Sequence, residues 1–229
     1  MLAIFFFDPL WLVISAPALI FSLWAQYKVK STFKRFSKVG VSSGMTGAEA
    51  AAAVVQASGM RDITIERHQG FLSDHYDPRA KALRLSPAVF DGRSVSSVAV
   101  AAHEAGHSMQ DADNYFPLVL RSRLVPLTQI GSSLWFLPFV AGMIFQLDAL
   151  MWLGIAFFAT TVVFQLVTLP TEFNASNRAK AVLASTGIVR TQEEAVGVSK
   201  VLDAAAMTYV AALVASILQL LYLVLRARD

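Results

Sequence analysis

The chain contains no cysteine, which excludes disulfides, thiolate metal ligands and cysteine nucleophiles and leaves His and carboxylate side chains as the strong protein ligands for a metal. Charge is scarce as well. Only 15% of the 229 residues are charged against 55% hydrophobic, and the mean hydropathy is +0.54, a balance that calls for membrane segments. From 124 to 177 there is no Lys or Arg, and Asp148 is the only charge before Glu172. The net charge of +3 is small and its basic residues sit beside an apolar run, so lipid headgroups explain them and a nucleic-acid partner is excluded.

The apolar runs predict about four transmembrane helices. Residues 2–25 are long enough to span a bilayer, and no basic segment precedes them. No small-residue cleavage site precedes Tyr27-Lys-Val-Lys, so an uncleaved anchor over 1–26 is expected rather than a signal peptide. Lys28, Lys30, Lys34, Arg35 and Lys38 follow, which places residues from about 27 onward in the cytoplasm and the N-terminus outside. A polar domain over 27–123 leads into a membrane hairpin over 124–169, with spans at about 124–147 and 149–169. Pro126 and Pro138 are candidate kinks in the first of these. A cytoplasmic helical segment over 170–204 and a last membrane helix with its tail over 205–229 complete the organisation. Arg226 and Arg228 would then lie outside, weakly against the charge rule.

Within the polar domain, Thr46-Gly-Ala-Glu49 is a capping-box pattern opening a helix over 47–58. Residues 62–67 alternate as a strand does, and 82–85 form a second short strand after the turn-like Asp77-Pro78. Ser94 or Ser96 caps a helix running to about Asp111. That helix carries His103-Glu-Ala-Gly-His107. Two imidazoles four residues apart share a helix face and reach one ion, and Glu104 beside them can take a proton from a zinc-activated water. Gly106 leaves room for a close approach by a substrate backbone or another helix.

A catalytic zinc needs a third protein ligand. Glu172 is the first choice: it follows Pro170-Thr171 at the start of an expected helix, and two intervening spans return the chain to the side of the histidines. Asp113, ten residues after His103, is the alternative. Glu193 and Glu194 are weaker candidates that read as solvated surface. Asp111 shares a helix face with His107 and is a candidate to support it. In His75-Tyr76-Asp77, His75 or Tyr76 is a candidate donor to a tetrahedral oxyanion, with Asp77 orienting either group or organising the turn. Arg178 is a candidate partner for Glu172 or for a substrate carboxylate. The fold class expected is a mainly α membrane protein with about four transmembrane helices and a small α+β zincin-like cytoplasmic domain.

Five stretches, Leu72-Ser-Asp-His-Tyr-Asp-Pro78, Leu85-Ser86, 100–110, 166–176 and 204–210, make the chain resemble the YugP-like family of bacterial membrane zinc metallopeptidases. The resemblance implies one zinc ion held by His103, His107 and Glu172, with Glu104 catalytic. It also implies a multi-pass protein of the bacterial inner membrane acting on polypeptides. HtpX-like membrane proteases are a broader likeness, in which Asp commonly stands where this chain has Ser176. The expected function is zinc-dependent hydrolysis of membrane-associated or unfolded polypeptides on the cytoplasmic side. An inactive peptide-binding scaffold and a membrane protein with purely structural zinc are the competing readings.

Overall fold

The computed structural model describes residues 8–70 and 73–228; the first seven residues of the expected anchor, and Leu72 of the first family-like stretch, lie outside the described residues. The protein is mainly helical, with one small three-stranded sheet. In chain order its elements are α1 (Pro9–Phe36), α2 (Gly47–Ala57), β1 (Thr64–Arg67), β2 (His75–Asp77), β3 (Ala82–Leu85) and α3 (Pro87–Phe90). Then follow α4 (Val95–Ala112), α5 (Phe116–Leu134), α6 (Phe136–Phe145), α7 (Asp148–Ser185) and α8 (Gln192–Arg228). Among the described residues, four stretches are long and apolar enough to cross a membrane: α1, α5 with α6, α7 and α8. The chain divides into two compact units, one of residues 8–26, 119–170 and 208–228, the other of residues 27–118 and 171–207.

The first unit is built from apolar helix. Val13, Ile20 and Leu137 turn outward and are largely exposed, as lipid-facing side chains are. Phe139, Met151, Ile155, Phe158, Val162, Tyr222 and Leu223 close its interior. A Cβ at Gly154 would stand 2.7 Å from the Trp135 carbonyl oxygen, so glycine lets α7 approach the α5–α6 junction at backbone distance. The helix breaks at that junction one turn before Pro138, which has no N–H to give the Leu134 carbonyl, whereas Pro126 sits inside α5 without ending it. At the start of α1, the Asp8 carboxylate accepts from the Leu10 N–H and from the Tyr222 hydroxyl, each at 2.9 Å. Arg226 acts electrostatically on the same carboxylate, so the basic residue that runs against the charge rule has an acidic neighbour.

The second unit holds the sheet, in the order β1-β3-β2, with β1 parallel and β2 antiparallel to β3. His75–Asp77, read from sequence as part of a turn, is an edge strand; at three residues it is too short to show a period. Leu83 and Leu85 point from β3 into a core shared with Val54 of α2, Val98, Ala101, Ala102 and Ala105 of α4, Leu183 of α7 and Leu202 of α8. The small side chains of α2 and α4 let these two helices pack closely. Thr46 and Glu49 form the expected capping box at the start of α2.

Two long helices depart from the sequence expectation. Pro170 lies inside α7, which continues to Ser185, so Glu172 is not near a helix N-terminus. Proline within a long helix is tolerated where packing holds both flanks, and Val162 and Thr168 before it are buried, as are residues 171, 172, 175, 176 and 179 after it. The uncharged run of α8 is 204–225, but the helix begins earlier, at Gln192.

Glu194 explains that early start. Its Oε2 accepts from the Arg190 and Thr191 N–H groups and its Oε1 from the Ser42 N–H at 2.6 Å, while the Thr191 hydroxyl accepts from the Glu194 N–H. Burial opposes its ionisation, but these donors outweigh it and hold the carboxyl down at about 2. A carboxylate with a lowered pKa stabilises the fold above its unfolded value, near 4.5, and loses that contribution as pH falls toward 2. Glu194→Gln should therefore melt below the parent protein at neutral pH. The gap should close on acidification from 4.5 toward 2, as read by circular dichroism; a gap constant across that range would contradict the assignment.

Candidate metal centre

Helix α4 starts at Ser94, whose side chain accepts from the Ser97 N–H, and it is tied to α1 by the Ser96 hydroxyl, which donates to the Phe33 carbonyl at 2.8 Å. Farther along, α4 crosses α7. The crossing is at Gly106, where a Cβ would stand 2.6 Å from the Ala175 carbonyl oxygen, so the close helix approach needs glycine. Side chains one turn to either side of Gly106 then face α7 directly.

His103 Nε2 lies 3.1 Å and His107 Nε2 3.5 Å from the same oxygen, Glu172 Oε2. The three ligand atoms fall within 4.8 Å of one another, and this is the group of three metal-ligating side chains found among the described residues. Ligands bound at 2.0–2.1 Å around a tetrahedral ion stand about 3.3 Å apart, a spacing the two distances bracket. The Glu172 side chain is 2% and that of His103 12% exposed, so the carboxylate is enclosed while one edge of the site stays accessible. Burial works against ionisation of Glu172, but the imidazoles beside it prevail and hold its carboxyl far below the usual carboxylate range. Two imidazole nitrogens and an anionic oxygen are the donor set of a catalytic zinc site.

The profile of a family described as "Putative neutral zinc metallopeptidase" matches residues 11–228. The chain belongs to that zinc-peptidase family. It is 47% identical over 216 residues, 94% of this chain and 96% of the relative, to the "Putative membrane protease YugP" of Bacillus subtilis (strain 168). No solved structure matches the chain. Family, cluster and four membrane-length helices together describe a protease-like zinc enzyme of the membrane, with a His-His-Glu group able to hold a metal ion.

In this zinc peptidase Glu104 is buried next to the cluster, near enough to His107 to act on its charge, and its carboxylate makes no hydrogen bond among the described residues. The imidazoles do have further contacts. His103 Nδ1 lies 3.1 Å from the Ser176 hydroxyl, so serine is the neighbour of that ring nitrogen. His107 Nδ1 lies 3.0 Å from Gln110 Oε1, and Gln110 Nε2 donates to the Thr171 carbonyl and to Asn174 Oδ1. Sequence reasoning missed Gln110 in this role, although its place three residues after His107 on one helix face was the available signal.

The other candidates have different partners. Asp111, read as a support for His107, instead accepts from the Tyr76 hydroxyl at 2.7 Å and from Lys81 Nζ at 2.6 Å, tying the edge strand to the end of α4. Burial first, and then that bond to Asp111, raises the pKa of the Tyr76 hydroxyl, which stays protonated. His75 stands on the opposite face of β2 from Tyr76, with Nδ1 2.9 Å from the Ser73 carbonyl and its ring edge-on to His68. Asp77 organises the turn: it accepts from the Arg79 and Ala80 N–H groups and pairs with Arg84. Arg178 pairs with Asp113, not with Glu172, and donates from Nε to Asn174. Asp113 is the C-cap of α4 and is not part of the three-residue group.

Proposed function

We propose that the chain is a multi-pass membrane endopeptidase that hydrolyses membrane-associated or unfolded polypeptides. In this reading His103, His107 and Glu172 hold one zinc ion and Glu104 is the general base. The observation that carries it is the convergence of two Nε2 atoms and one carboxylate oxygen beside a buried carboxylate that makes no hydrogen bond among the described residues. The segment order has an anchor over 1–26, a cytoplasmic domain over 27–123 and a hairpin over 124–169. A helical segment over 170–204 supplies Glu172, and a final helix over 205–229 follows.

Bound zinc supplies Lewis acidity, which lowers the pKa of water and polarises the scissile carbonyl. Glu104 takes the proton of the attacking water and returns it to the leaving amine. The fixed pair His103 and Glu172 closes one side of the site, and the partly exposed edge of His103 admits the peptide. Tyr76 and Asp111 brace the edge strand against α4 in this scheme and move no proton.

Two measurements test the reading. Protein purified in detergent should carry close to one zinc per chain and cut a peptide library, with cleavage lost on chelation and restored by zinc. Absence of cleavage by zinc-loaded protein would favour a structural-zinc or scaffold protein. The lack of cysteine makes sidedness direct to measure. In intact cells a membrane-impermeant maleimide should label Asp148→Cys and spare Arg61→Cys; the reverse pattern would put the site outside.

A further inference from the structure

The small sheet has a second histidine pair on the face turned away from α4. Register decides which side chains share that face: Glu66 of β1 and His75 of β2 both stand across from Arg84 of β3, and successive side chains of a strand alternate. His68 comes two residues after Glu66, and its N–H donates to the Leu85 carbonyl at 2.7 Å, which continues the β1 ladder and puts its ring on the same side. Leu83 and Leu85 point the other way, into the core shared with α4, and Tyr76 reaches Asp111. The His68 and His75 rings meet with centroids 5.3 Å apart and planes at 90°. That is close to the arrangement of His103 and His107, whose centroids are 4.8 Å apart with planes at 83°. Two imidazoles bound at about 2.0–2.1 Å to one tetrahedral ion hold their ring centroids about 5.2 Å apart, so the spacing suits a shared ion.

Each ring keeps a nitrogen for that ion. His68 is exposed and its ring makes no hydrogen bond among the described residues. His75 is half-buried, and its Nδ1 donates to the Ser73 carbonyl at 2.9 Å, the kind of outer contact that steadies a ligating imidazole and leaves Nε2 to bind. The carboxylates on this face are already engaged. Glu66 and Asp77 pair with Arg84 at 3.2 and 2.7 Å, and no group of three ligating side chains forms around the pair among the described residues.

We propose that His68 and His75 form a second metal site, which takes a divalent transition ion such as zinc through two imidazoles and leaves its other positions to water. Magnesium and calcium seek oxygen ligands, and with both carboxylates held by Arg84 this face has none to spare. The ion would clip the end of β1 to the start of β2, two strands that each pair with β3 and not with one another. Two protein ligands hold an ion less tightly than three. The site therefore fills only at zinc concentrations well above those that saturate the His103, His107 and Glu172 group.

The test is equilibrium dialysis of the whole chain in detergent, free of any affinity tag, against rising zinc. The parent protein should take up one tight zinc and then a second, weaker one. His68→Ala and His75→Ala should each lose the weaker zinc and keep the tight one, whose retention also shows that the variant is folded. The double variant His103→Ala/His107→Ala should do the reverse. Excess magnesium or calcium should leave the weaker zinc in place. A parent protein that stops at one tight zinc would overturn the proposal whatever the variants do, and so would a weaker zinc that survives both single substitutions. A parent protein that binds zinc only through His68 and His75 would sink the proposed function and leave this second site standing.

Discussion

Glu104→Gln should leave the zinc content of the protein unchanged and lower kcat for peptide cleavage by about 10²- to 10⁴-fold, the range associated with a positioned general base. The substitution keeps the size and shape of a side chain that is 8% exposed on the middle of α4, so the helix and the neighbouring imidazoles have no reason to move. The capacity to take a proton is what changes. Because the Glu104 carboxylate makes no hydrogen bond among the described residues, the amide breaks no existing link, and a loss of rate reports chemistry rather than folding. KM should change little, since the residue is assigned no part in holding the peptide. Cleavage at the parent rate by zinc-loaded Glu104→Gln would remove the residue from the mechanism. Peptide binding without cleavage by the parent protein would favour an inactive scaffold.

How far the sequence reveals this site depends on the range of each interaction. The pairing of His103 with His107 is readable because helix geometry alone puts residues four apart on one face. The Thr46–Glu49 cap is readable for the same reason, and the spans are readable because hydropathy accumulates along the chain. Gln110 is different. It sits only three residues from His107, but its bonds to Thr171 and Asn174 join residues 61 and 64 apart in sequence, and without α7 its amide has no fixed direction. Glu194 resembles a solvated acid until Ser42, 152 residues away, is found donating to it. Pro170 and His75–Asp77 mislead locally. A proline rule that usually ends helices yields to packing on both flanks of α7, and a three-residue strand becomes visible through its register with β3.

Glu172→Ala should abolish high-affinity zinc binding, and Asp113→Ala should not. Both acids are within chain reach of the histidines, and ligand type does not separate them. Geometry does. Glu172 places one oxygen 3.1 and 3.5 Å from the two Nε2 atoms, whereas Asp113 ends α4 and pairs with Arg178. Thermal stability offers a readout independent of turnover. A ligand that binds the folded state alone stabilises it by about 4.1 kcal/mol at a thousand times its Kd, so zinc should raise the melting temperature of the parent protein and chelation should lower it. Glu172→Ala should melt at the same temperature with and without zinc. Asp113→Ala should keep the zinc-dependent rise, with loss of its pairing with Arg178 shifting both curves down together. In zinc-free protein Glu172 is a carboxylate enclosed at 2% side-chain exposure, with two imidazoles as its compensation, and burying such a charge has a large desolvation cost. Removing it should therefore destabilise the zinc-free state less than the zinc-bound state. A zinc response lost in Asp113→Ala and kept in Glu172→Ala would transfer the third ligand to the end of α4 and require α7 to serve another purpose.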